Sequence, residues 1–174
     1  MDLLAEVNSE HSKAQTLKIA SYIRENPTRF GELIQIFLHG EYRTTQRAAW
    51  VLRTCLSQQE SPLKSYFPTL LNKLYQAPIH DSIKRNVMGI FADYKGTYPN
   101  SIHDQLLEKA FEYLENKKEA VAVKIHAMTV AERLCQSYPE LKTELKIILE
   151  DQIEFGSAGF RSRASKILGK ISNI

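Results

Sequence analysis

Residues 43–57 read RTTQRAAWVLRTCLS, and the spacing inside that stretch decides the fold. Ala49 is followed by Leu52 three positions on and by Leu56 seven on, which makes one stripe along an α-helix. The same stripe returns as Val87, Ile90 and Tyr94, then as Ala127, Val130 and Leu134, then as Ala164, Ile167 and Ile171. Its first members lie 38, 40 and 37 residues apart. A near-fixed period of this length marks stacked helical repeats. One helix pair cannot bury its apolar stripe alone, whereas a stack of pairs makes a continuous core.

Working outward, Val, Ile and Thr form no alternating run bounded by turns, so the chain reads as all-α. A first helix is expected over 9–26, capped by Ser9 and stopped by Pro27. Thr28 would cap the next, whose Phe30, Leu33, Ile34, Phe37 and Leu38 end at Gly40. Ser61-Pro62 reads as a cap followed by an N1 proline, opening 62–76. Helices over 80–95, 101–115, 118–137, 139–154 and 158–172 follow. Short loops make paired helices antiparallel neighbours. The expectation is a single domain over 1–174, with a capping helix at 9–26 and repeats at 28–57, 62–95, 100–137 and 139–172. Polar Ser162, Ser165 and Ser172 suit a solvated final layer.

The second helix of each pair opens in a recurring way: Gln46-Arg47-Ala48-Ala49, Ile83-Lys84-Arg85-Asn86-Val87, Val123-Lys124-Ile125-His126-Ala127 and Phe160-Arg161-Ser162-Arg163-Ala164. In this the chain resembles the HEAT-repeat family of armadillo-like solenoids, whose B helix opens with a Val-Arg-like pair followed by small and aliphatic residues. Leu168-Gly169 in the last unit is similar to a pair common in that B helix. The resemblance covers about residues 28–172. Two departures stand out: the Asp-Pro turn typical of the family is missing, and Thr45 occupies a position where an aliphatic residue is expected. The resemblance implies a right-handed α-α superhelix of four A/B pairs, with the B helices lining its concave side.

A length of 174 residues allows a sizeable core, and 43% hydrophobic with 25% charged residues is ordinary for a folded soluble chain. No stretch reaches the ~20 apolar residues of a membrane span. The opening MDLLAEVNSEHSK lacks a basic region followed by an apolar one, so no secretory signal is expected. Cys55 and Cys135 fall on core-facing positions without CxxC spacing and read as reduced core thiols, which points to a cytoplasmic protein.

The net charge of +3 says little, but its distribution is uneven. The B segments 42–57, 80–95, 118–137 and 157–172 carry thirteen Lys and Arg against four acids. The A segments 28–39, 62–76, 100–116 and 139–154 carry six bases against ten acids. The resemblance therefore implies a basic concave face. Its candidate binding residues are Arg43, Arg47, Trp50 and Arg53, on one side of a single helix, with Lys84, Arg85, Lys124, Arg161 and Arg163. An aromatic ring among arginines suits phosphates and a stacked base. Trp50 shares its register with Met88 and Met128 and by itself reads first as a core-edge packing residue.

No phosphate loop, nucleophile elbow or HExxH element is present, and the five histidines lack a second ligand at helical spacing. No catalytic or metal-ligating residue is assigned and no cofactor is implied. Two functions remain open: a non-catalytic interaction scaffold that binds a protein partner, or a nucleic-acid-binding protein. For the second, the basic B layer is similar in class to bacterial alkylpurine DNA glycosylases built on a HEAT-like scaffold.

Overall fold

A computed structural model describes residues 1–24, 26–56 and 62–171. The chain divides into two compact units, Met1–Thr97 and Tyr98–Ile174, and their boundary falls between the repeats expected at 62–95 and 100–137. The first unit holds α1 (Leu3–Ser9), α2 (Lys13–Ile23), α3 (Pro27–His39), α4 (Tyr42–Cys55), a 3-10 turn Pro62–Tyr66 running into α5 (Phe67–Lys73), and α6 (Asp81–Asp93). In the second, a 3-10 turn Asn100–Ile102 leads into α7 (His103–Glu115), followed by α8 (Val121–Leu134). A further turn Pro139–Leu141 leads into α9 (Lys142–Ile153), and α10 (Ala158–Ile171) closes it. No strand occurs among the described residues. The fold is an all-α solenoid.

The repeated stripe is the core. Ala49, Leu52, Val87, Ile90, Ala127, Val130, Ala164 and Ile167 are each at most 1% exposed. The third member of each stripe is looser: Leu56 and Leu134 are buried, while Tyr94 and Ile171 are half-buried. In the first unit α4 packs against α2, α3 and α6; in the second α8 packs against α7, α9 and α10. B helices thus lie against B helices within each unit. Three of the four first positions are alanine, a residue small enough for close helix packing, and the aliphatic residues beyond add the bulk of the core.

The start of the chain differs from the single capping helix expected over 9–26. Asp2 caps α1 by accepting the Ala5 N–H at 3.0 Å, and Leu3 and Val7 are buried. Ser9 closes α1 instead of opening a helix, its Oγ donating to the Glu6 carbonyl at 2.8 Å. The cap of α2 is Ser12, whose Oγ accepts the Gln15 N–H at 3.1 Å. Because α1 packs on α3 and α2 on α4, the N-terminal element is a fifth, shortened helix pair. Its stripe is Thr16, Ile19 and Ile23, all buried. The Thr16 hydroxyl donates to the Ser12 carbonyl at 2.9 Å, which satisfies a polar group at a core position.

Several boundaries shift for local reasons. Asn26, not Thr28, caps α3 by accepting the Arg29 N–H at 3.1 Å, and Pro27 then stands in the first turn, where its missing N–H is not needed. The stretch expected as one helix over 62–76 breaks into a 3-10 turn and α5, with Pro68 in the first turn of α5. In an unbroken helix the N–H that Pro68 lacks would be required at that point. Phe67 then packs its ring against Phe91 and Tyr94, with centroids 5.1 and 4.9 Å away. The expected cap Ser61, the end of the 28–57 repeat at Ser57, and Ser172 lie outside the described residues.

Thr45, the departure from the aliphatic pattern, is fully buried, and its hydroxyl is shared between the carbonyls of Phe37 and Gly40, each at 3.1 Å. It closes the C-terminal end of α3, whose last carbonyls have no partner within the helix. Gly40 is in extended conformation, and a Cβ there would stand 2.6 Å from the Ile36 carbonyl oxygen. Glycine is required here by a close approach, not by a left-handed turn.

Leu52 provides the direct test of this register. Leu52→Asp places a charge without a counterion where no water reaches, at a cost above ~4 kcal/mol. Circular dichroism should show loss of helix; a fully helical, cooperatively melting variant would contradict the register.

Candidate nucleic-acid and protein interface

The basic B-layer residues do not behave alike. Five of the nine candidates are bonded inside their own unit. In the first unit the Arg47 guanidinium donates to the Asn8 carbonyl at 2.6 Å, near the C-terminal end of α1, where carbonyls are orphaned and partially negative. Arg53 reaches from α4 to α6 and holds Asp93 through Nε at 2.7 Å and a terminal nitrogen at 2.5 Å. Lys84 is half-buried with its ammonium 3.4 Å from Asp81 one turn away. These bonds tie successive layers together or settle charge within one helix.

In the second unit Lys124 is 5% exposed, and its ammonium donates to the Leu114 carbonyl at 3.1 Å and to Gln152 Oε1 at 2.6 Å. Gln152 in turn donates to the same Leu114 carbonyl at 2.8 Å. This cluster joins the end of α7, the start of α8 and the end of α9. Burial pulls the Lys124 pKa down, opposed by the nearby Glu119 carboxylate. Lys124 is therefore a structural residue and not part of an exposed basic column, which corrects its place among the candidate binding residues. Arg163 spans from α10 to Thr129 Oγ1 at 2.7 Å, and its buried Nε has no acceptor among the described residues. Lys170 pairs with Glu132 at 3.0 Å in the same B-on-B sense.

What stays at the surface is a shorter set. Arg43 and Arg161 are exposed and Arg85 is half-buried. Trp50 is 37% exposed, whereas Met88 and Met128, which share its register, are fully buried. Trp50 is packed on one side only: its indole and the His11 ring meet edge to face with centroids 5.2 Å apart, and the rest of the ring stays exposed. It lines a shallow recess with Gln46, Arg53, Thr54 and Asn86. The Asn86 side-chain amide donates to Ser82, so part of that rim is fixed. Tyr42, at the start of α4, is also half-exposed, with its ring 6.1 Å from His80.

Sequence reasoning passed over a second recess, in the second unit, of about 260 Å³. Phe155 stands at its mouth and is 84% exposed. An aromatic beside Gly156 in a turn was the available signal. Cys55 and Cys135 are buried free thiols, and burial raises both pKa values to about 11, which makes them poor nucleophiles. No described helix is long and apolar enough to cross a membrane.

With helix pairs repeating, B layers packed on B layers and no strand described, the chain has the features of a helical repeat protein. The family model for the HEAT repeat domain matches residues 4–171, and the chain belongs to that family. That match begins inside α1, in keeping with a helix pair at the N-terminus. Such a domain is a helical repeat scaffold of a kind that typically mediates protein interactions. No curated protein and no solved structure matches the chain.

The role of Lys124 is open to direct test. Lys124→Met keeps the stem volume and leaves Leu114 bonded to Gln152, so urea denaturation should place it within ~1.5 kcal/mol of the parent. Lys124→Glu buries a like charge beside two acceptor oxygens and should cost ~3 kcal/mol or more. A Glu variant as stable as the parent would return Lys124 to the surface.

Proposed function

We propose that this chain is a non-catalytic interaction scaffold that binds a protein partner through the exposed edge of α4. The observation that carries the reading is Trp50: a large ring held in the open within a polar rim, on a helix whose other side is locked in the core. A partly exposed tryptophan beside an arginine is the kind of anchor that dominates protein interfaces. Arg43 and Tyr42 extend the same surface with a cation and a second amphipathic ring. A reducing, cytoplasmic setting suits the two buried unpaired thiols.

The nucleic-acid reading rests on Arg43, Arg85 and Arg161 together with Trp50. Against it weighs the commitment of Arg47, Arg53 and Arg163 to bonds within the chain, since affinity for nucleic acid grows with the number of cations free to neutralise phosphates. The base-excision reading would need the Trp50 recess to accept a base, and there Arg53 already holds Asp93.

Two parallel measurements separate these readings: pull-down with the immobilised chain, and fluorescence anisotropy with labelled duplex and single-stranded DNA at low and moderate salt. A protein captured by the parent and lost with Trp50→Ala, alongside weak DNA binding, is the expected outcome. Tight DNA binding with a steep salt slope, abolished by Arg43→Glu with Arg161→Glu, would overturn it in favour of the nucleic-acid reading.

A further inference from the structure

The second unit carries a feature that the α4 surface does not explain. At the turn between α9 and α10, Phe155 is 84% exposed, the most exposed large apolar side chain among those described. It stands over the recess of about 260 Å³, whose apolar walls are Val121, itself 41% exposed, and buried Phe160. Ile147, 61% exposed, lies two turns back on α9.

The recess is smaller than the ~300–1,000 Å³ of small-molecule and cofactor sites. It is of a size to take a side chain. Its charges are balanced: Lys117 and Lys124 face Glu119 and Asp151. Lys117 and Asp151 are exposed on its rim, and neither belongs to an ion pair among the described residues. A phosphate-bearing partner gains little from a surface of zero net charge. A twofold pairing brings one patch against its own copy, so it requires a self-complementary patch. Here an exposed aromatic knob, Phe155, stands beside a recess with Val121 and Phe160 in its wall and one exposed charge of each sign, Lys117 and Asp151, on its rim.

We propose that the Phe155 recess is a self-docking site, in which two copies pair about a twofold axis. Phe155 of each copy enters the recess of the other, and Lys117 of each faces Asp151 of the other. The basic edge of α4 lies in the first unit and takes no part, so this proposal stands or falls separately from the scaffold reading above.

Sedimentation velocity and light scattering on the full chain, over a wide range of concentration, should show a monomer–dimer equilibrium. Phe155→Ala should weaken the dimer roughly tenfold or more, the loss expected when a central aromatic anchor is removed. Because Phe155 is exposed, that variant should melt like the parent. Lys117→Asp and Asp151→Lys should each weaken pairing by setting like charges opposite one another. The double exchange should restore it. A monomer at every concentration would overturn the proposal, as would a dimer indifferent to Phe155→Ala. A double exchange no better than its singles would also overturn it, because the pairing it assumes would then be absent.

Discussion

The interaction on which the rest of this structure depends is the burial, within each unit, of an apolar stripe between neighbouring B helices. No described helix buries its apolar face by itself, and the shortest α-helices among the described residues, α1 and α5, have seven residues each. Isolated helices of that length do not persist in water, so their existence depends on the layer they complete. Ala49, Val87, Ala127 and Ala164 are all buried, as are Leu52, Ile90, Val130 and Ile167 one turn on. The same constraint explains the N-terminal pair. Once α4 presents a stripe, something must cover it, and α2 does so with Thr16, Ile19 and Ile23.

Charge is subordinate to that packing. The B layer is rich in Lys and Arg, yet several of these side chains serve the joints between layers. Arg47 and Lys124 bond carbonyls at the ends of α1 and α7, where helices leave acceptors unfilled. Arg53–Asp93 and Lys170–Glu132 run between adjacent B helices, with the positive partner on the earlier helix in one case and on the later in the other. A count of positive residues therefore overstates the field this surface offers. What remains at the surface in the first unit is Arg43 and Trp50 with half-buried Arg85, and in the second Arg161 with a recess whose charges balance.

The fold was legible because its signal is periodic: four stripes at nearly equal spacing outweigh any local ambiguity. What stayed hidden was short or local. In α1 only Leu3 and Val7 face the core, and two residues make no recognisable period. Asn26 and Thr28 are both N-cap types, asparagine the better of the two, and Pro27 also favours Asn26 because it prefers the first turn to a position beyond the helix. The site was much less readable. Trp50 shares a register with two buried methionines, yet it keeps 37% exposure and meets His11 of the unforeseen N-terminal pair, neither of which the register encodes. Lys124 and Arg161 occupy the same repeat position, yet one is buried and the other exposed. The difference lies in Gln152 and Leu114, which the repeat pattern does not encode.

Native-state hydrogen exchange followed by mass spectrometry tests the layered account most directly, because it reads the stability of each helix separately. If B-on-B packing sustains the structure, amides of α4 should exchange more slowly than those of α1 and α2, and amides of α8 more slowly than those of α10. Exchange in α4 as fast as in α1, or slowest protection in α10, would contradict it.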